Sequence, residues 1–345
     1  NKQGIIELDQ LRQGKVIATE IATKSEYILD DKENEILLDY DTYKELTIGN
    51  EHKKGDLSVY KVDADNNKIT LGGVKFALYS HEFQKITGYY TTDANGEIHI
   101  KGLRTGNWSL IEEETGKWYN LNENPIEIKV NWNENTNVTV ENELKKSQIK
   151  IIKVDKDNHE IKLKDVELEV LDKDGNVLEK LKTDKNGECY TKRYAIRDYP
   201  ELYIRETKTN EKYVLDTEMK KITLKENEIV NYTFENQKIY GQIKVIKTSE
   251  DDNKINGDKK GTPIPNVSFG VYDENKNFIE KITTGLDGIA ITSKLEKGIK
   301  YVKELEGESG EWYQLNENEY SAEIVKHGEI VELNITNKSD NPDID

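Results

Sequence analysis

The sequence predicts an all-β chain: tandem β-sandwiches of about a hundred residues each, in a linear array. Three observations carry that expectation. A long unit repeats along the chain, and each unit is built of short stretches that alternate apolar and polar residues. Asp/Asn/Gly turns separate those stretches, and no segment keeps a helical period beyond a turn or two.

Self-comparison defines the unit. "LSVYKVD" (57–63), "IKIIKVD" (149–155) and "IKVIKTS" (243–249) are one strand, and "DANGEI", "DKNGEC" and "GLDGIA" are one turn into a strand. Farther on, "WSLIEEETGKWYNL", "LYIRETKTNEKYVL" and "KYVKELEGESGEWYQL" correspond, and the units close on "VTVENE", "YTFENQ" and "LNITNK". The period is 92 residues from Lys61 to Lys153 and 94 from Lys153 to Lys247. Inside the units, Glu112 precedes Asn142 by 30 residues, Glu206 precedes Asn236 by 30, and Glu304 precedes Asn337 by 33. The N-terminal stretch carries the second half of a fourth unit. There "NKQGIIEL" matches the turn and strand, "KVIATEIATKSEYIL" the glutamate strand and "LTIGNE" the closing strand, with Glu20 again 30 residues before Asn50. The expected units are therefore residues 1–52 (incomplete), 53–145, 146–239 and 240–338, followed by a tail at 339–345. Short charged linkers, "EHKKGD", "ELKKSQ" and "NQKIYG", join them.

Composition narrows the function. The 345 residues are enough for two to four domains. A net charge of −17, without clustered Lys/Arg, argues against nucleic acid as a partner. Regularly spaced Tyr, Trp and β-branched residues separate the chain from acidic disorder. The single cysteine, Cys189, has no disulfide partner; it aligns with Ile98 and Ile6 and is expected to be a small core residue. No apolar run approaches a membrane span, so any leader or anchor is expected outside these residues. The five histidines lack metal-ligand spacing, and no metal or cofactor is expected. The runs "DADNNK", "DKDNHE" and "SEDDNK" follow the lysine strand each time and read as turns, since none has the glycine and bidentate glutamate of a calcium loop. The sequons at Asn137 and Asn231 are expected by chance in so Asn-rich a chain.

Period-2 alternation puts three polar residues on the core face of each complete unit. Leu57, Val59 and Lys61 share a face, as do Ile149, Ile151, Lys153 and Ile243, Val245, Lys247. Trp108 and Leu110 align with Glu112, and Leu202 and Ile204 with Glu206; Glu304 shares its face with Val302 but also with Lys300. The closing strands add Asn142, Asn236 and Asn337. A buried Lys–Glu pair alone would contribute little net stability. Its recurrence with asparagine as third member points to something an amide does chemically. Desolvation lowers a lysine pKa and raises a glutamate pKa, so the pair can share one proton and become neutral. Neutral lysine is a nucleophile, and protonated glutamate can polarise the amide and pass protons to departing ammonia. Contact between amine and amide makes the attack intramolecular, worth about 7–11 kcal/mol of barrier in ideal geometry. The expected product is a Lys–Asn isopeptide bond, made once per domain without a cofactor.

This pattern resembles the Cna protein B-type (SpaA-like) repeat domains of Gram-positive surface adhesins and pilins, over three complete units and one partial one. The resemblance implies a β-sandwich of transthyretin-like or inverse immunoglobulin type. It also implies a bond from a first-strand lysine to a last-strand asparagine, assisted by an acidic residue on a middle strand. Matched by motif, the cross-links are Lys61–Asn142, Lys153–Asn236 and Lys247–Asn337, assisted by Glu112, Glu206 and Glu304; the incomplete unit retains Glu20 and Asn50. The family often shows E-x-x-x-P-x-G-Y after the glutamate. Here "EETGKWY", "ETKTNEKY" and "ELEGESGEWY" lack the proline, a departure that affects a turn. Glu113 points outward by alternation, and Glu114 lies two residues beyond the matched position.

The function expected is a covalently locked stalk segment of an extracellular, cell-wall-anchored protein, with further repeats of the same protein as its neighbours. The competing expectations are an adhesin module that binds host matrix or a cell-surface ligand, and a pilus shaft subunit. The insertion "SEDDNKINGDKKGTPIPN" (249–266) is where a binding unit would diverge, and a solvated loop is its plainer reading. A shaft subunit needs a sortase-reactive lysine and a sorting signal. No "YPK" or "LPxTG" motif is present, so sortase and cell wall would act through a signal outside these residues. The incomplete unit lacks its lysine strand and alone would expose a sheet edge; the plainest expectation is that these residues are a portion of something longer, and a sharper one is that a strand from a preceding or separate chain completes the unit and supplies the lysine.

Overall fold

The computed structural model describes residues 3–341, and none of them is helical. The chain divides into two compact units, Asn1–Lys145 and Lys146–Asp345. The first contains β1 (Gly14–Ala18), β2 (Asn34–Leu38), β3 (Lys54–Asp63), β4 (Lys75–Ser80), β5 (Lys85–Thr91), β6 (Glu97–Arg104), β7 (Gly106–Glu114), β8 (Ile126–Val130) and β9 (Asn135–Asn142). The second begins with β10 (Lys146–Asp155), β11 (Glu167–Leu171), β12 (Val177–Lys182), β13 (Glu188–Tyr190), β14 (Tyr194–Ala195), β15 (Glu201–Lys208), β16 (Lys220–Thr223) and β17 (Ile229–Asn236). It continues with β18 (Tyr240–Ser249), β19 (Ser268–Tyr272), β20 (Phe278–Thr283), β21 (Ile289–Ile291), β22 (Leu295–Glu296), β23 (Gly298–Glu304), β24 (Glu319–Ile324) and β25 (Ile330–Asn337).

Each complete repeat is a two-sheet sandwich. In the first, one sheet has the order β6-β3-β9 and the other β5-β4-β7-β8. The second uses β10 between β17 and β13/β14, facing β12-β11-β15-β16; the third uses β18 between β25 and β21/β22, facing β20-β19-β23-β24. The lysine strand is central in its sheet each time. It pairs parallel with the closing strand, Lys61 opposite Val140 and Asp63 opposite Asn142, and the second and third repeats keep the same register. A parallel pair needs a long crossover. Here the whole of the sandwich between the two strands is that crossover.

The alternation works as the sequence suggests. Leu57, Val59, Trp108, Leu110 and Val140 are buried, as are Ile149, Ile151, Leu202, Ile204 and Phe234 in the second repeat. In the third, Ile243, Val245, Phe269, Val302 and Ile335 fill the equivalent space. Lys300 is buried on the same face as Val302 and Glu304, so the break in the apolar pattern of that strand is accommodated rather than avoided. Cys189 is buried opposite Ile151, the position Ile98 takes opposite Val59. The first two Asp/Asn runs are turns: Asp63 Oδ1 accepts from the Asp65 and Asn66 amides, and Asp155 Oδ1 does the same for Asp157 and Asn158.

One glycine turn ties the lysine backbone down. Gly96 lies at φ +77°, where a Cβ would sit 2.6 Å from the Lys61 carbonyl oxygen; Gly187 (φ +70°) meets the Lys153 carbonyl at the same distance. The Gly96 carbonyl accepts from the Lys61 amide at 2.8 Å. Only a residue without a Cβ allows both the left-handed turn and this approach.

The N-terminal half unit departs from expectation in three places. "NKQGIIEL" and "LTIGNE" were expected to be strands, and neither Ile5–Leu8 nor Leu46–Asn50 is one. The glutamate strand is present as β1, paired with β2, but it ends at Ala18, two residues before Glu20. Ile6, aligned with the core positions Ile98 and Cys189, is 84% exposed. Among the described residues no strand stands between Ile5–Leu8 and Leu46–Asn50, so no ladder defines these two segments as strands.

Candidate functional site

The three expected residues of each complete repeat meet between the sheets. The lysine rises from the middle of one sheet, the asparagine ends the adjacent parallel strand, and the glutamate reaches across from the opposite sheet. Lys61, Lys153 and Lys247 are each 0% exposed, as buried as the core phenylalanines. An aromatic ring flanks each ammonium: Phe76 at 6.0 Å from Lys61, Phe234 at 5.3 Å from Lys153 and Phe269 at 5.7 Å from Lys247.

In the first repeat, Lys61 Nζ donates to Asn142 Oδ1 at 2.5 Å and lies 3.1 Å from Glu112 Oε2. Asn142 Nδ2 donates to Glu112 Oε1 at 2.6 Å. One carboxylate therefore touches both the amine and the amide nitrogen. The third repeat repeats the arrangement: Lys247 Nζ is 2.9 Å from Glu304 Oε2 and contacts Asn337 Oδ1, and Asn337 Nδ2 donates to Glu304 Oε1 at 2.7 Å. In the second, Lys153 Nζ lies 2.5 Å from Glu206 Oε2, and Asn236 Nδ2 donates to Glu206 Oε1 at 2.7 Å. That Lys153–Glu206 contact is short but poorly angled for a hydrogen bond, and neither Lys153 Nζ nor Asn236 Oδ1 has a hydrogen-bond partner. The second site thus brings its lysine to the glutamate without a hydrogen bond to the amide. Burial pushes all three lysine pKa values down, opposed by the attraction of the facing glutamate. Glu113 and Glu114 stay outside the site, Glu114 pairing on the surface with Lys75 at 2.8 Å.

Sequence reasoning missed a fourth member. Asn142 Nδ2 also donates to Thr115 Oγ1 at 2.8 Å, and Asn236 Nδ2 to Thr209 Oγ1 at 2.7 Å. A signal was present: threonine stands three residues after Glu20, Glu112 and Glu206. The third repeat has Gly307 there, and its amide turns to the Ser309 carbonyl at 3.3 Å. A second feature was hidden by the insertion. Tyr119 and Tyr213 donate to Asp63 and Asp155, each at 2.8 Å, at the end of the lysine strand. Ser249 replaces that aspartate in the third repeat, and Asp258 of the insertion accepts from Tyr313 at 2.9 Å instead.

The half unit keeps what it can of this site. Asn50 Nδ2 donates to Glu20 Oε1 at 2.7 Å and to Thr23 Oγ1 at 2.5 Å. Glu20 Oε2 accepts from the Asp30 amide at 3.0 Å, and the Asn50 bond leads the interactions that hold the Glu20 pKa below its usual value.

Known proteins place this architecture. In fold, the chain resembles the Bacillus anthracis TIE protein, with 26% identity and a TM-score of 0.69 over 90% of this chain and 54% of that one. The chain thus spans about half the length of that protein. Weaker likenesses are to BcpA, the major pilin subunit of Bacillus cereus (15% identity, TM-score 0.39, 83% of this chain and 100% of that one), and to a streptococcal ancillary pilin (17%, 0.32, 82% and 99%). No curated protein sequence matches significantly. Residues 55–144, 147–238 and 241–339 each match the SpaA family, described as a prealbumin-like fold domain. With most of its length accounted for by those three matches, the chain belongs to the SpaA family of prealbumin-like fold domains.

Proposed function

We propose that each complete repeat closes its own Lys–Asn isopeptide bond, and that the chain is a stalk segment of a Gram-positive surface protein. The observation that carries this reading is one buried carboxylate touching both reacting nitrogens, Lys61 Nζ and Asn142 Nδ2. Lys61 loses a proton to Glu112, and its Nζ attacks Asn142 Cγ. The Cγ–Nδ2 bond breaks, Nδ2 takes a proton from Glu112 and leaves as ammonia, and Glu112 takes up the second proton that Nζ sheds. Atoms balance: amine plus primary amide gives secondary amide plus ammonia. Lys153–Glu206–Asn236 and Lys247–Glu304–Asn337 act in the same way.

The reaction is single-turnover and serves mechanics. The bond joins residues 81 positions apart, a loop worth about 4–5 kcal/mol on the relation used for disulfides. The first and last strands lie parallel, so tension along the chain would otherwise load their ladder in shear. With Lys61 joined to Asn142 it passes through the covalent bond, and the sandwich between them carries little of it. A protein with one buried cysteine gains by this means what disulfides give other extracellular chains. Anchoring would come from a sorting signal outside these residues, read by sortase at the cell wall. A dedicated binding module is less favoured, because the insertion of the third repeat is engaged in holding Tyr313.

The intact mass of the denatured chain tests the chemistry. Three ammonias should be missing, and two in Glu112→Ala. An unshifted mass would leave three ordinary buried ion pairs and remove the mechanical argument.

A further inference from the structure

We propose that Phe234 is a positioning residue that holds Lys153 off its amide, so that the second repeat closes its bond after the first and the third. The inference rests on the chemistry proposed above for the complete repeats and adds an order to it.

In the second site the amide and the carboxylate are in place, and the amine is not. Asn236 Nδ2 donates to Glu206 Oε1 and to Thr209 Oγ1, each at 2.7 Å, as Asn142 Nδ2 does to Glu112 and Thr115. Lys61 and Lys247 donate to the oxygens of their amides, Asn142 Oδ1 and Asn337 Oδ1. Lys153 Nζ lies 2.5 Å from Glu206 Oε2 instead, and both it and Asn236 Oδ1 are buried without a hydrogen-bond partner. Two buried groups that would satisfy each other stay apart only where packing keeps them apart.

Two exchanged side chains supply that packing. On the closing strand the lysine stands opposite Val140 in the first repeat, Phe234 in the second and Ile335 in the third. The asparagine follows two residues later on the same face, so the amine must lean past that side chain to reach it. A β-branched aliphatic leaves the way open. In the second repeat a ring stands there, 5.3 Å from the ammonium and packed on Tyr232 with centroids 4.7 Å apart. Opposite the glutamate the exchange runs the other way: Phe76 and Phe269 face Glu112 and Glu304, but Leu168 faces Glu206. All these side chains are buried. The ring has changed sides of the ammonium while the combined size of the two positions is nearly kept. Core filling is satisfied by either arrangement, and the approach of the amine by one of them. A ring beside a desolvated ammonium also favours its charged form, which is not the nucleophile. Once Lys153 turns toward the amide, Nζ attacks Asn236 Cγ, the Cγ–Nδ2 bond breaks, and ammonia leaves, with Glu206 carrying protons from Nζ to Nδ2. Until then, tension in the second repeat falls on the β10–β17 ladder while the other two repeats are locked.

The test follows the full chain, newly made by cell-free translation and quenched in acid at intervals. Protease digestion and mass spectrometry then score each linked peptide pair separately. The Lys61–Asn142 and Lys247–Asn337 pairs should appear first, and Lys153–Asn236 about tenfold later, the cost of recovering one hydrogen bond. The exchange Leu168→Phe with Phe234→Val gives the second repeat the residues of the first and should bring it to the pace of the others. The reciprocal exchange, Phe76→Leu with Val140→Phe, should impose the lag on the first repeat. Three pairs that arise together in the native chain would overturn the proposal, whatever the variants do. So would a lag that survives the Leu168/Phe234 exchange in a chain whose second repeat melts as the native one does. Linked pairs from all three repeats at one pace sink the order alone, and no linked pair from any repeat sinks the chemistry on which both readings depend.

Discussion

The first complete repeat and the half unit before it contain nearly the same cluster in opposite states of burial. Glu112 and Asn142 meet in a sealed interior; Glu20 and Asn50 meet at 2.7 Å in a partly open one. The contact between carboxylate and amide therefore needs neither the lysine nor the closed sandwich. Short local connections and one threonine suffice. What the lysine strand adds is desolvation. It brings the amine, pairs both flanking segments and covers the apolar face, and burial then lowers the pKa of the amine it brings.

Removing that strand's amine should break the comparison most severely. Lys61→Ala cannot close the loop and so forfeits the about 4–5 kcal/mol of the covalent link. Calorimetry should show one repeat melting tens of degrees earlier while the other two hold, whereas Glu20→Ala should leave every transition in place. An unchanged melting profile in Lys61→Ala would refute the covalent reading.

The paired glycines sharpen the same contrast at lower cost. Gly96→Ala forces a Cβ against the Lys61 carbonyl and strains a left-handed turn, a penalty of at least about 1–3 kcal/mol. That repeat should melt earlier and close its bond more slowly. Gly4→Ala meets no atom and keeps only the strain of its left-handed turn, φ +74°, so it should lower stability less than Gly96→Ala does. Equal effects at the two positions would mean that the turn strain alone, and not the contact with the Lys61 carbonyl, sets the cost at Gly96.

Thr115→Val should have the smallest effect. It removes one acceptor from the amide nitrogen, about 1 kcal/mol, so the ammonia of the first repeat should be lost up to about tenfold later in newly folded protein. Thr115→Ser should restore the rate. The third repeat, which has Gly307 at that position, should close at its usual pace in both variants. A time course of intact mass separates these outcomes.

The sequence alone determined the fold class, the number of complete repeats and the inward lysine, glutamate and asparagine of each. Strand alternation, turn glycines and a long internal period are local signals, and each was written three times. Only the tertiary structure decided the rest. Which oxygen faces which nitrogen depends on two sheets packing together, so one carboxylate spanning amine and amide could not be read from spacing. Thr115 and Thr209 escaped notice because a threonine past a strand end looks like ordinary turn composition until the amide it accepts from is in view. The rescue of Tyr313 by Asp258 joins residues 55 positions apart and was hidden inside an insertion that read as a solvated loop. The half unit gives the clearest division. Its apolar pattern predicted strands at Ile5–Leu8 and Leu46–Asn50, but a pattern only states which face a strand would bury, and a strand forms where a neighbour accepts its hydrogen bonds.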